Sequence, residues 1–258
     1  MQSLQRPGDQ RLNLQVHSAF GRWFAWLLLV AGLSHTASAT TPLTPHAAEY
    51  KVRISVVGGR LLTELSQSDA GYVAKHDLAA TGLSRLVARG SVIEVAEFSA
   101  GESGVIPVSY QSDDTLDRDE VHARVRFDWD ANEASGTLND AELVTALEGL
   151  THDRISIQYA LMHDLLNGRL DSEYRMFEVD KLKTINVRTI GSKEVKVPAG
   201  RFTAVGIQHQ SSGSSRVTTF WCVEELGFLP VVIEQHRKGK LRVRATLRRY
   251  TPASAEQD

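Results

Sequence analysis

Two histidine–aspartate neighbours, His152 beside Asp153 and His163 beside Asp164, are the residues of this chain whose types could move a proton. Histidine titrates near neutral pH and a carboxylate can orient it, which is the pairing that general acid–base chemistry uses. Neither pair sits in an H-E-x-x-H or comparable ligand spacing, and no G-x-S-x-G elbow supplies a nucleophile. Helix-surface and capping roles are therefore expected for both. The stretch "SDDTLDRDE" crowds Asp113, Asp114, Asp117, Asp119 and Glu120 together, as a calcium loop would. Arg118 stands where such a loop needs glycine and Arg124 where it needs a bidentate glutamate, so a solvated acidic loop is the expectation and no metal is assigned. Cys222, the single cysteine, follows Trp221 with no histidine or basic cluster nearby, and reads as an inert core thiol. With no catalytic motif, neither an enzyme nor a cofactor is expected.

The residues left with a candidate role are basic. "LRVRATLRRY" places Arg242, Arg244 and Arg248 on the polar side of an alternating run, "HARVRFDW" does the same with Arg124 and Arg126, and Lys51 and Arg53 repeat the habit near the start. Together these seven form a candidate basic surface for anionic lipid headgroups or an acidic partner; the alternative is that each row is only the wet face of its strand.

These side chains must be positioned by strands. From Glu49 onward the pattern has period two, with Tyr50, Val52, Ile54 and Val56 on one side and Lys51, Arg53 and Ser55 on the other. Gly58–Gly59 is suited to a two-residue turn, which would set Val56 against Leu61 and Val52 against Leu65. Further short runs extend to Tyr250, separated by turn-rich pieces such as "WDANEASG" and "SSGSS". "NDAELVTALEG" is ambiguous between a short helix and a strand. For the last hairpin, a three-residue loop, Arg237 to Gly239, would set Ile233 against Val243 and Glu234 against Arg242, leaving Arg244 and Arg248 without a partner on that strand.

One helix is expected, "DRISIQYALMHDLLNG", capped by Asp153 and ended by Gly168. Its stripes Ile155–Tyr159–Met162–Leu166 and Ile157–Leu161–Leu165 lie nearly opposite one another, so it needs cover almost all round, with Ser156, His163 and Asn167 as a narrow strip reaching water. The expected fold is mainly β: one domain, a large, strongly curved antiparallel sheet or incomplete barrel with this helix on its concave face.

The first residues have another purpose. Arg11 and Arg22 precede the apolar run "WFAWLLLVAGL", and Ala37 and Ala39 then form an A-x-A site. A signal peptide over 1–39, cleaved after Ala39, a linker over 40–48, a β-rich domain over 49–250 and a tail over 251–258 are expected. The apolar run is well short of the roughly 20 residues that span a bilayer, so the mature chain should carry no transmembrane segment and be periplasmic. Losing Arg6, Arg11, Arg22 and Asp9 takes Lys+Arg from 29 to 26 and Asp+Glu from 31 to 30, a mature charge of −4 that argues against nucleic acid as a partner.

"DRISIQYAL", "VPAGRFTAV" and "TFWCVEELGFLPVVIEQHRKGKLRVRATLRRY" resemble an exported bacterial family catalogued as domain of unknown function 3108, over roughly Ala47 to Tyr250. The resemblance implies an exported, mostly β protein and carries no catalytic residue. In architecture alone the chain is also similar to periplasmic lipoprotein carriers, whose curved sheet holds an acyl chain under helices. Two functions follow as expectations: a binding protein for an amphipathic envelope component (lipid, glycolipid or lipoprotein), or a structural protein of envelope assembly whose interior is filled by its own helix. A continuous apolar cavity of roughly 300 Å³ or more beside the helix separates them.

Overall fold

Alternation of buried and exposed side chains carries most of the chain into one sheet. The structure, a computed structural model, describes residues 40–253 except 87, 117, 118, 179 and 180. The expected signal peptide and the last residues of the expected tail lie outside them. The first half of the sheet comprises β1 (His46–Ile54), β2 (Val57–Ser68), β3 (Gly71–Ala80), β4 (Ser91–Gly101), β5 (Gly104–Asp114), β6 (Val121–Asp128), β7 (Glu133–Leu138) and β8 (Ala141–Ala146). A two-residue strand, β9 (Thr151–His152), leads into helix α1 (Ser156–Leu166). Then follow β10 (Glu173–Glu178), β11 (Lys181–Val197), β12 (Gly200–Ser211), β13 (Arg216–Val223), β14 (Leu229–Arg237) and β15 (Lys240–Pro252).

The strands lie in the order β8-β7-β6-β5-β4-β3-β2-β1-β15-β14-β13-β12-β11-β10-β9. Two antiparallel meanders are thus joined where the first strand pairs with the last; β9 adds to β10 in parallel, and the free edges, β8 and β9, are consecutive in the chain. The sheet curls around α1 without closing into a barrel. "AELVTA" resolves as the edge strand β8, and β7 lies inside a stretch that reads as a turn.

Parity is as expected, while register is not. Tyr50 and Val52 are buried and Lys51 and Arg53 exposed. The β1–β2 turn is at Ser55–Val56, with Ser55 left-handed at φ 53°, so Val52 faces Gly59 and Tyr50 faces Leu61. Gly58–Gly59 instead lie within β2, whose pairing with β3 runs from Gly59–Ala80 to Ser68–Gly71. That long second hairpin outweighs the cost of leaving Val56 at an exposed tip. The expected pairing is displaced by an even number of residues, which leaves every side chain on its own face.

At β14–β15 the loop has two residues, Lys238 and Gly239, with φ of 50° and 72°. A bulge between Gln235 and His236 then absorbs one residue, so Ile233 faces Ala245 and Glu234 faces Arg244. The tight turn and the matched apolar faces, which compete in an unbroken ladder, are both satisfied because the bulge changes register between them.

The helix is held at its start by Asp153, whose Oδ1 accepts from the Ile155 and Ser156 backbone amides (2.8 and 2.9 Å) while Oδ2 accepts from Ser156 Oγ (2.6 Å). Gly168, at φ 63°, follows its end. Arg154 reaches Glu94 (3.4 Å), itself hydrogen-bonded by Tyr110 (2.5 Å), tying the helix start to β4 and β5. Tyr159, fully buried, stacks on Phe98 at 5.3 Å.

Two expectations fail around the helix. Ser156 and His163 are completely buried, so of the expected polar strip only Asn167, half-buried, reaches water. What covers the strip includes the expected linker: the Asn167 side chain pairs with both the N–H and the C=O of Thr41 (2.8 and 3.1 Å), Leu43 is buried, and β1 already begins at His46. At the other end β15 continues to Pro252, opposite His46, so the domain's edges lie outside 49–250.

Candidate functional site

The seven basic candidates divide into two groups. Lys51 and Arg53 on β1 and Arg242, Arg244 and Arg248 on β15 share neighbouring strands, with Arg53 directly opposite Arg244. Arg124 and Arg126 lie on β6, with four strands between β6 and β1, about 24 Å along the sheet at the usual strand spacing. That exceeds the Debye length of about 8 Å at physiological salt, so the seven do not act as one surface. Arg244 and Arg248 also have partners, Glu234 at 3.6 Å and Glu49 at 3.2 Å. Arg124 holds both oxygens of Asp113 (3.0 and 2.9 Å), and His122 bonds the same carboxylate at 2.8 Å, which lowers the Asp113 pKa and raises that of His122.

The two histidine–aspartate neighbours differ: Asp153 is taken up by the helix start and does not meet His152, whereas Asp164 lies close to His163. Asp153 is the helix cap, completely buried, and burial lifts its pKa to about 6 against the pull of its donors. His152 instead lies against the Tyr174 ring (6.1 Å between centroids), and burial lowers its pKa to about 4. Asp164 accepts a 2.6 Å bond from Tyr174 and lies 3.5 Å from His163 Nδ1. His152, Asp164 and Tyr174 line a cleft of about 530 Å³ between α1 and β10, whose lining also includes the Arg175–Glu148 ion pair. Tyr174 was missed from the sequence because it sits on another strand, in a run with no histidine or aspartate spacing to mark it. Cys222 is buried, and burial pushes its thiol pKa up.

The larger opening lies on the other side of the helix. A cleft of about 1040 Å³ separates Arg154, Ile157 and Gln158 from the concave face of β10–β14. Its floor carries half-buried apolar side chains, Ile157, Met176, Phe220 and Ile233 among them, and its rim carries Arg216, Arg237 and the Ser211–Ser215 turn. His209 stacks on Phe220 (5.3 Å, 16° between planes) with a buried Nδ1 that has no hydrogen-bond partner; burial lowers its pKa to about 4, so it is neutral at neutral pH. Deeper in, where Leu161 and Met162 meet Ile207, Cys222 and Pro230, only about 10 Å³ remains. That is the room of one water at most, so the apolar ground under the helix is solid and the open space beside it is amphipathic.

Such a cleft can hold a ligand by apolar contact at its floor and by charge at its rim. Among solved structures the chain is similar to a β-barrel-like protein of domain of unknown function DUF1849 from Brucella abortus. The two share 13% identity at a TM-score of 0.55, over 83% of this chain and 100% of that one, a likeness of fold alone. No curated protein matches the chain. Residues 46–246 match the family described as protein of unknown function (DUF3108), and since that is most of the sequence, including every strand that lines the large cleft, the chain belongs to this family.

Proposed function

We propose that this is an exported, periplasmic, non-enzymatic binding protein, cleaved after Ala39, that holds an amphipathic component of the cell envelope in the cleft between α1 and β10–β14. The observation that carries the reading is the contrast between two spaces beside one helix: about 10 Å³ at Leu161 and Met162, and about 1040 Å³ at Ile157 and Gln158. Ligand sites of drug size occupy about 300–1,000 Å³ and combine apolar walls with a few polar groups. The solid packing at Leu161 and Met162 favours the other reading, a structural protein filled by its own helix. Native mass spectrometry of protein purified from its own periplasm decides between them. Retained mass that denaturation releases as a lipid-like molecule supports binding, and bare protein recovered under gentle conditions favours the filled core. N-terminal sequencing of the same material tests export, with Thr40 as the expected first residue.

A further inference from the structure

Two adjacent strands present the same chemical sequence to the large cleft, from rim to floor: β13 runs Arg216, Thr218, Phe220 and β14 runs Arg237, Gln235, Ile233. Beside them β12 adds Ser211 and His209 to the lining, and its next inward residue, Ile207, is fully buried opposite Phe220. The register aligns these rows: Arg216 faces Arg237, Thr218 faces Gln235, and Phe220 faces both Ile233 and Ile207. At about 3.4 Å per residue, the charged row lies about 14 Å from the apolar one.

The charged row is unsatisfied. Two arginines directly opposite one another repel. Neither guanidinium has an ion-pair or hydrogen-bond partner among the described residues, whereas the other cleft cations do: Arg154 pairs with Glu94 and Lys183 with Glu178. The turn Ser212–Ser215 leads from β12 into Arg216; there Asn186 fixes Ser212 and the Arg216 amide fixes Ser214, leaving the hydroxyls of Ser211 and Ser215 without a partner among the described residues. Two free guanidinium forks beside free hydroxyls match a tetrahedral dianion better than a single carboxylate, because each fork can take two oxygens.

Resting on the binding reading above, we infer that the cleft takes a single-chain amphiphile with a phosphate headgroup. Arg216, Arg237 and the serine turn hold the head, and the chain lies over Phe220, Ile233 and Ile157. His209, between the two rows, supplies a neutral hydrogen-bonding edge where head gives way to chain.

Calorimetry with three probes tests this on the purified protein: lysophosphatidic acid, the monoacylglycerol of the same chain, and inorganic phosphate. Lysophosphatidic acid should bind at least about tenfold tighter than the monoacylglycerol, and Arg216→Gln with Arg237→Gln should abolish that preference while leaving monoacylglycerol binding in place. The same double variant should melt no lower than the parent, since it removes a like-charge pair. Ile157→Gln should weaken both amphiphiles and spare phosphate. Equal affinity for the charged and neutral amphiphiles, or a preference that survives the double variant, overturns the headgroup assignment and leaves the cleft a binding site. Phosphate binding as tightly as lysophosphatidic acid overturns the amphiphile and leaves an anion site. Failure of both amphiphiles to bind overturns the binding reading itself.

Discussion

Asp153 offers the most direct test of how the helix is held. It is completely buried and accepts three hydrogen bonds within 3 Å, two from backbone amides that would otherwise be orphaned at the helix start. Asp153→Ala removes both carboxylate oxygens and with them all three bonds. A lost cap costs about 1–2 kcal/mol and each buried donor left unsatisfied about 1–3 kcal/mol, so a loss of about 3 kcal/mol or more is expected. Asp153→Asn keeps an acceptor for the two amides and separates capping from charge. Burial raises the Asp153 pKa from 3.8 to about 6 in the folded protein. The folded state therefore holds the proton more tightly than the unfolded one. The stabilisation linked to that proton is complete below about pH 4 and is lost as pH rises through about 6. Two pH units at 1.36 kcal/mol each is about 3 kcal/mol. Urea unfolding followed by tryptophan fluorescence, on wild type and Asp153→Asn across this range, should show the variant gaining about 3 kcal/mol on wild type between about pH 4 and pH 7. A difference that stays flat, or that moves in favour of wild type as pH rises, refutes the argument that burial outweighs the three donors.

Leu161→Ala should cost about 3 kcal/mol and lower Tm by about 6–12 °C, because the site has almost no free volume and its walls are strands that cannot collapse inward. A loss under about 1 kcal/mol in a thermal melt refutes solid packing under the helix. Gly136→Ala should be at least as damaging: a Cβ there would stand 1.8 Å from the Arg124 carbonyl oxygen on β6, at a φ of 155°, and circular dichroism should show loss of cooperative unfolding or a drop of several degrees. Arg244→Gln with Arg248→Gln should leave Tm nearly unchanged, since each exposed pair is worth about 0.2–1 kcal/mol. Neutral substitutions are preferred here because reversed charges would face Glu234 and Glu49. If these two arginines meet anionic lipid, co-sedimentation with anionic vesicles should fall in the same variant, and salt-independent, unchanged binding would leave them as the wet side of a strand.

Parity of strand faces and the identity of the helix were legible in the sequence because both follow from local periodicity. Tyr50 and Val52 inside, Lys51 and Arg53 outside, and Asp153 and Gly168 at the helix ends need no knowledge of the rest of the chain. Register was less legible, since it is decided by neighbours: β2 takes its place from β3 as well as β1, and the bulge at Gln235–His236 reconciles a turn with a face only once both strands are paired. Strand order was not legible at all. Nothing local places Arg124 five strand positions from Lys51, and that order is what divides the expected basic surface. The cleft was missed for a related reason. "SSGSS" reads as a turn, and Arg216 and Arg237 as the ends of two runs; only cross-strand pairing makes them opposite neighbours. The signal that was present is the common order of charge, polar group and apolar group at period two toward those ends.

Curvature explains why that rim differs from the basic pairs elsewhere in the sheet. Lys51 lies opposite Arg60, and Arg53 opposite Arg244, on the outer face of β1, so the same cross-strand repulsion exists there. On the convex side of a curled sheet, opposed side chains diverge into water, and solvent and salt screen them over about 8 Å. On the concave side they converge. There, Arg216 and Arg237 remain exposed at the rim but are aimed toward the cleft, whose apolar surfaces reduce screening on that side. The Phe220–Ile233 floor supplies such a surface, and α1 closes the side opposite. Two arginines held this way cost the fold something that an acidic neighbour would remove, as Glu234 does for Arg244. The Lys51–Arg60 pair lacks an acidic partner among the described residues too, so it is the concave placement of Arg216 and Arg237, at the rim of a cleft, that sets them apart from a solvated basic row.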